Sequence, residues 1–133
     1  MSLIVTYGPH EDESGLGYYR RLAADNMLSG WRELARYSDV APSPGALLEQ
    51  AEHVAAQLGL EPGWALAARE HESVRRSWGS LSRNKADAVC PCCIAESAYL
   101  RHHWSHAYVT ACPEHRIQLV DHCDACGCRF HSS

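Results

Sequence analysis

Apolar residues recur at helical spacing through the first half of the chain. The first such run follows Ser14, a residue suited to cap a helix N-terminus, and it stops near Asn26. The acidic residues just before Ser14 suit the positive end of a helix. One face of this predicted helix carries Leu16, Tyr19, Leu22 and Ala23.

Three further helices are predicted in this half. The second covers Trp31–Tyr37, and a loop at 41–45 precedes the third, which is predicted over 46–58. Residues 59–62 break the pattern, and Pro62 suits the first turn of a fourth helix that reaches about to Trp78. The last two helices and their short turn form a helix-turn-helix-like pair.

This helix pair has two interpretations, which the sequence leaves open. It either packs a core or reads DNA. Arg69, Arg75 and Arg76 are the candidate DNA contacts, but Glu70 and Glu72 are interleaved with them. A solvated face is therefore the first interpretation and a phosphate-binding face the second.

Three pairs of metal-ligand residues with knuckle spacing occupy the last third of the chain. The pairs are Cys90 and Cys93, Cys112 and His115, and Cys123 and Cys126. A spacing of two residues within each pair aims both ligands at one ion, which is typical of a zinc ribbon. We predict mainly α structure with a small zinc-ribbon region. The expected division is a helical, helix-turn-helix-like domain at 1–79, a polar linker at 80–89 and the zinc-ribbon region at 90–133.

One or two zinc ions are expected. The favoured first site comprises Cys90, Cys93, Cys112 and His115. A second site would add ligands to Cys123 and Cys126, with candidates Cys128, His131 and His122. A rival pairing places the first and third pairs around one ion. Cys92 is expected to be a free thiol.

Composition narrows the function classes. The formal net charge of −4 at pH 7 argues against broad electrostatic binding to nucleic acid, so DNA binding is expected to be weak or indirect. No membrane helix and no secretory signal are predicted, which places the cysteines in a reducing cytoplasm. Glu114 lies between Cys112 and His115, an order unlike that of zinc deaminases, and a closed, non-enzymatic site is predicted.

Two segments of the chain resemble the TniQ family of bacterial transposition proteins. The first is Glu11-Asp12-Glu13-Ser14 with Gly17-Tyr18, Arg20-Arg21-Leu22-Ala23 and Asn26. The second is Cys90-Pro91-Cys92-Cys93-Ile94, Tyr99-Leu100-Arg101, Trp104, Cys112-Pro113-Glu114-His115, Leu119 and Cys123-Asp124-Ala125-Cys126-Gly127. Together they span about residues 9 to 127.

The resemblance implies an adaptor in target-site selection. Such a protein links a target recogniser to an AAA+ ATPase that recruits the transposase, and in CRISPR-associated transposons the recogniser is an RNA-guided effector complex with its guide RNA. The alternative is a stand-alone DNA-binding regulator built from the helix pair and the ribbon. The expected ATPase contacts are Glu11, Asp12, Tyr18, Tyr19, Arg20 and Arg21. The competing interpretation places Tyr19 in the core and leaves the charges merely solvated.

Overall fold

Helices dominate the structure, a computed structural model that describes residues 2–76 and 88–130. The backbone alone is described for 74–76. The α-helices are α1 Gly15–Asp25, α2 Trp31–Tyr37, α3 Pro44–Glu49, α4 Ala51–Leu58, α5 Pro62–Arg76 and α6 Pro91–Glu96. A 3₁₀ helix covers His102–Ser105. Four isolated β-bridges are the strand-like pairings of the described residues. The predicted mainly α fold is confirmed.

Helix α1 begins and ends where its capping residues predict. The Ser14 hydroxyl accepts a hydrogen bond from the Gly17 N–H at 3.0 Å, and Asn26 is the C-cap. Glu72 of α5 adds a second acceptor, because its Oε2 lies 3.3 Å from the Leu16 backbone nitrogen. A Cβ on Gly15 would lie 2.2 Å from the Ala68 carbonyl oxygen, so glycine at this position permits the close packing of α1 on α5.

The predicted third helix is wrong in one respect, because it is two helices. Pro44 occupies the first turn of α3 behind the Ser43 cap, so helix starts inside the predicted loop. Gln50, at φ −93° and ψ 43°, interrupts the run before α4. Gly59 ends α4 at φ 73°, a left-handed conformation that favours glycine. The predicted end of the fourth helix, Trp78, lies outside the described residues.

Two hydrophobic cores organise the molecule. The larger lies among α1 to α5 and includes Tyr18, Tyr19, Leu22, Leu34, Leu47, Val54 and Leu58, each fully buried. The smaller lies under the metal-ligand pairs and comprises Ala88, Cys90, Cys93, Trp104, Cys112 and Leu119. The smaller core buries little apolar surface for the length of chain that it must hold. A metal ion that links the two knuckles would therefore contribute much of the stability of this half.

The N-terminal acidic turn joins the two cores. Glu13 and Arg101 form an antiparallel bridge, in which the Ser14 N–H donates to the Leu100 carbonyl and the His102 N–H donates to the Asp12 carbonyl, each at 2.8 Å. We call residues 11–14 together with 99–102 the junction. The predicted linker at 80–89 falls largely on 77–87, outside the described residues.

Tyr99 is the central side chain of the junction. Its ring stacks on the His10 imidazole at a centroid distance of 3.9 Å, and the Arg101 guanidinium lies 3.7 Å from its centroid. Its hydroxyl donates to Asp12 Oδ1 at 2.7 Å. The aromatic ring is therefore held by stacking and by one hydrogen bond, and these contacts fix the acidic turn against the metal-ligand half.

Candidate metal centre

Four ligand atoms from two knuckles meet at one point. The ligand atoms of Cys90, Cys93, Cys112 and His115 all lie within 4.8 Å of one another. Cys93 Sγ is 3.6 Å from Cys112 Sγ, and His115 Nδ1 lies 3.2 to 3.6 Å from the three sulfurs. A tetrahedral zinc with its usual bond lengths has edges of about 3.8 Å between sulfurs and about 3.6 Å between sulfur and nitrogen. The set therefore fits zinc.

Local backbone structure aims each pair of ligands. Cys90 is the N-cap of α6, its sulfur accepts from the Cys93 N–H at 3.4 Å, and Pro91 fixes the first turn. The second knuckle is closed by hydrogen bonds between Cys112 and the two residues Arg116 and Ile117. The structure thus brings together the favoured first pairing rather than the rival one.

The environment shifts the pKa values of two of the thiols in opposite directions. Burial raises the pKa of Cys93 to about 12. Burial also opposes ionisation of Cys112, but hydrogen bonds from the His115 backbone and ring outweigh it and lower this pKa to about 6. A metal ion replaces the protons of such thiols, so its binding free energy becomes folding free energy.

Glu96 orients the histidine ligand, and the sequence interpretation missed it. Its Oε1 lies 2.8 Å from His115 Nε2, and this hydrogen bond raises the pKa of His115 to about 9. With Nε2–H donating to the carboxylate, Nδ1 would be left to donate its lone pair to a bound metal ion. A signal was present, because Glu96 follows Cys93 at helical i, i+3 spacing.

The third knuckle repeats the turn of the second. In the second knuckle, the Arg116 N–H donates to the Cys112 carbonyl and the Cys112 N–H donates to the Ile117 carbonyl. In the third knuckle, the Gly127 N–H donates to the Cys123 carbonyl and the Cys123 N–H donates to the Cys128 carbonyl. Cys123 therefore corresponds to Cys112, Cys126 to His115, and Cys128 to Ile117.

This correspondence places two ligands, Cys123 and Cys126, in knuckle geometry. Hydrogen bonds from the Cys128 backbone and from the Cys128 and Cys123 thiols lower the pKa of Cys126, so the three cysteines lie together. Among residues 2–76 and 88–130, however, the Cys90 set is the one group of three or more residues whose ligand atoms are placed to hold a metal ion. His122 Nδ1 lies 2.9 Å from Asp121, and His131 lies outside the described residues. The second zinc stays a prediction.

The expected ATPase contact through Tyr18 and Tyr19 is wrong, because both rings are fully buried. Tyr18 donates from its hydroxyl to the Tyr7 carbonyl at 2.7 Å. Arg21 is also held internally, since its guanidinium makes two hydrogen bonds to the buried Glu13 at 2.8 and 2.9 Å. Helical spacing did place Tyr19 on the apolar face with Leu22, and the competing interpretation with Tyr19 in the core is the one that the structure supports.

The other predicted contacts differ in exposure. Glu11 is exposed, whereas Asp12 is partly buried in the junction. Arg20 is partly buried on α1, and Arg69 is exposed on α5. Arg75 and Arg76 belong to α5, but their side chains lie beyond what the structure describes. Because Glu11 and Arg69 are exposed, Glu11 remains a predicted ATPase contact and Arg69 a predicted DNA contact.

A helical core joined to a closed Cys₃His site defines a small helical protein with metal knuckles. The TniQ family model matches residues 4–119, and the chain therefore belongs to the TniQ family, a transposition accessory family. No curated protein sequence matches the chain. Within the described ranges, no helix is both long and apolar enough to cross a membrane.

Proposed function

We propose that this protein is a non-enzymatic adaptor of DNA transposition. It links a target-site recogniser, of which an RNA-guided CRISPR complex is one form, to an AAA+ ATPase that recruits the transposase. The observation that carries this proposal is the match to the TniQ family over residues 4–119. The same match supports a role within the transposition machinery.

A structural role for zinc supports the non-enzymatic part of the proposal. Cys90, Cys93, Cys112 and His115 would together supply the four ligands that a structural zinc ion needs, which is the arrangement of closed rather than catalytic sites. Bound zinc would hold the two knuckles together as a rigid platform. The chain's own residues do this by supplying three thiolates and one imidazole, with Glu96 fixing the orientation of that imidazole.

The test compares ATPase-dependent capture with direct DNA binding. We expect DNA-bound AAA+ ATPase to capture the zinc-loaded protein and bare duplex to bind it weakly across a salt series. Arg69→Glu, on the exposed face of α5, should leave ATPase capture unchanged. Tight duplex binding without the ATPase, abolished by Arg69→Glu and steeply salt-dependent, would contradict the adaptor and support the regulator.

A further inference from the structure

The third knuckle lies in a hairpin, residues 121–130, that other described parts of the chain leave uncovered. The Phe130 N–H donates to the Asp121 carbonyl at 3.0 Å and closes this hairpin. Every residue along it is exposed or only partly buried. Beyond its chain neighbours, a Cβ on Gly127 would meet no atom of the described residues within 4 Å. The backbone therefore holds the ligand pair of the third knuckle on an open surface.

The second knuckle has the same turn, but it is covered. Its first cysteine, Cys112, is buried against the first knuckle, and Ile117 packs against the smaller core. The counterparts in the third knuckle are Cys123, which is half-buried, and Cys128, which is exposed. In the part of the chain that the structure describes, no second pair of ligands packs on the third knuckle as the first knuckle packs on Cys112.

Cys123 and Cys126 supply half of a tetrahedral thiolate site. A structural zinc ion takes four ligands, and one Cys-x-x-Cys turn gives two of them. Cys128 lies near this pair, but it occupies the position of Ile117, which is not a ligand in the second knuckle. Two further ligands are therefore needed from outside this hairpin turn.

We propose that one zinc ion joins two copies of this chain through their third knuckles, with Cys123 and Cys126 of each copy as its ligands. A tetrahedron has twofold axes that exchange its corners in pairs. Two identical pairs of thiolates therefore complete the site in a symmetric dimer, with the zinc ion on the dimer axis. The exposure of the hairpin leaves room for the second copy to approach.

Zinc content and particle mass of the full chain, measured on the same sample, test this proposal. Zinc-loaded wild type, freed of excess metal, should sediment as a dimer with about three zinc ions, one in each Cys90 set and one shared. Cys126→Ser should give a monomer with about one zinc ion. The matched control is Cys92→Ser, also an exposed cysteine, which should keep the dimer and the zinc content of wild type.

A rescue variant guards against a folding artefact. Cys126 corresponds to His115 of the second knuckle, so Cys126→His places an imidazole where that knuckle already uses one. This variant should restore the dimer and the shared zinc ion, and amide exchange around Cys90 and Cys112 should match wild type in both Cys126 variants. Removal of zinc by a chelator should dissociate the dimer.

The rival is a second site completed within one chain by Cys128 and His131. In a zinc-bridged dimer, Cys128→Ser and His131→Ala should leave mass and zinc content unchanged. A monomer with about two zinc ions, one of them lost in either variant, would overturn the inference. So would a monomer that binds zinc at the Cys90 set alone, or a dimer that persists in Cys126→Ser.

Discussion

Glu13 is predicted to be a structural residue, and Glu13→Gln tests this. The carboxylate is fully buried and accepts three hydrogen bonds, two from Arg21 and one from the His10 N–H at 3.1 Å. Glutamine can accept at one oxygen only, and its amide NH₂ would face a guanidinium. The change therefore leaves the partly buried cation of Arg21 without its charged partner.

The magnitude follows from this geometry. Breaking a fully buried ion pair costs about 3–5 kcal/mol. The Arg21 side chain retains 21% exposure, so water partly compensates its charge and reduces the expected loss. We expect Glu13→Gln to lower the free energy of unfolding by about 2–3 kcal/mol.

Urea denaturation of the zinc-loaded protein measures this loss. The matched control is Glu11→Gln, an exposed acid two positions earlier, which should change the free energy of unfolding by less than about 0.5 kcal/mol. A double-mutant cycle with Arg21→Met should give a coupling energy above about 1 kcal/mol. If Glu13→Gln behaves like Glu11→Gln, or if the coupling is near zero, the buried pair does not stabilise this fold.

Two other predictions concern the knuckles. Cys90→Ser should lose one zinc equivalent and unfold the C-terminal third, measured by elemental analysis and amide exchange, whereas the exposed Cys92→Ser should keep both metal and protection. Arg116 has a φ of 55° where the equivalent Gly127 has 74°, so Arg116→Gly should raise the free energy of unfolding by about 1 kcal/mol in urea denaturation of the zinc-loaded protein. A destabilised Arg116→Gly, or zinc loss in Cys92→Ser, would show that the knuckle register is wrong.

Local signals predicted the parts of the fold that local chemistry determines. Ser14, Asn26 and Pro62 mark helix ends by capping or by restricting the backbone, and the structure places ends there. Cys90 and Cys112 were predicted as ligands because two-residue spacing is itself a geometric constraint. In contrast, the sequence does not indicate the break between α3 and α4, because the residue there is Gln50 and not a glycine or a proline.

Long-range contacts explain what the sequence could not predict. Glu13 belongs to an acidic run that appears solvated, and only its approach to Arg21 and Arg101 makes it internal. Tyr18 and Arg20 are two positions, or about 200°, apart on one helix, and Tyr18 is fully buried whereas Arg20 is partly exposed. Periodicity separates these two faces, but it does not show that Tyr7 packs against Tyr18 and accepts its hydrogen bond from eleven residues away.

The junction determines how the chain can be divided. A fragment ending at residue 79 would retain α1 to α5 but lose the carbonyl of Leu100 and the N–H of His102, which pair with Ser14 and Asp12. It would also lose the ring of Tyr99 that covers the acidic turn. The start of α1 would then have no neighbour on one side. The metal-ligand half therefore supplies hydrogen-bond partners to the segment that precedes the first helix, and a division after residue 79 would remove them.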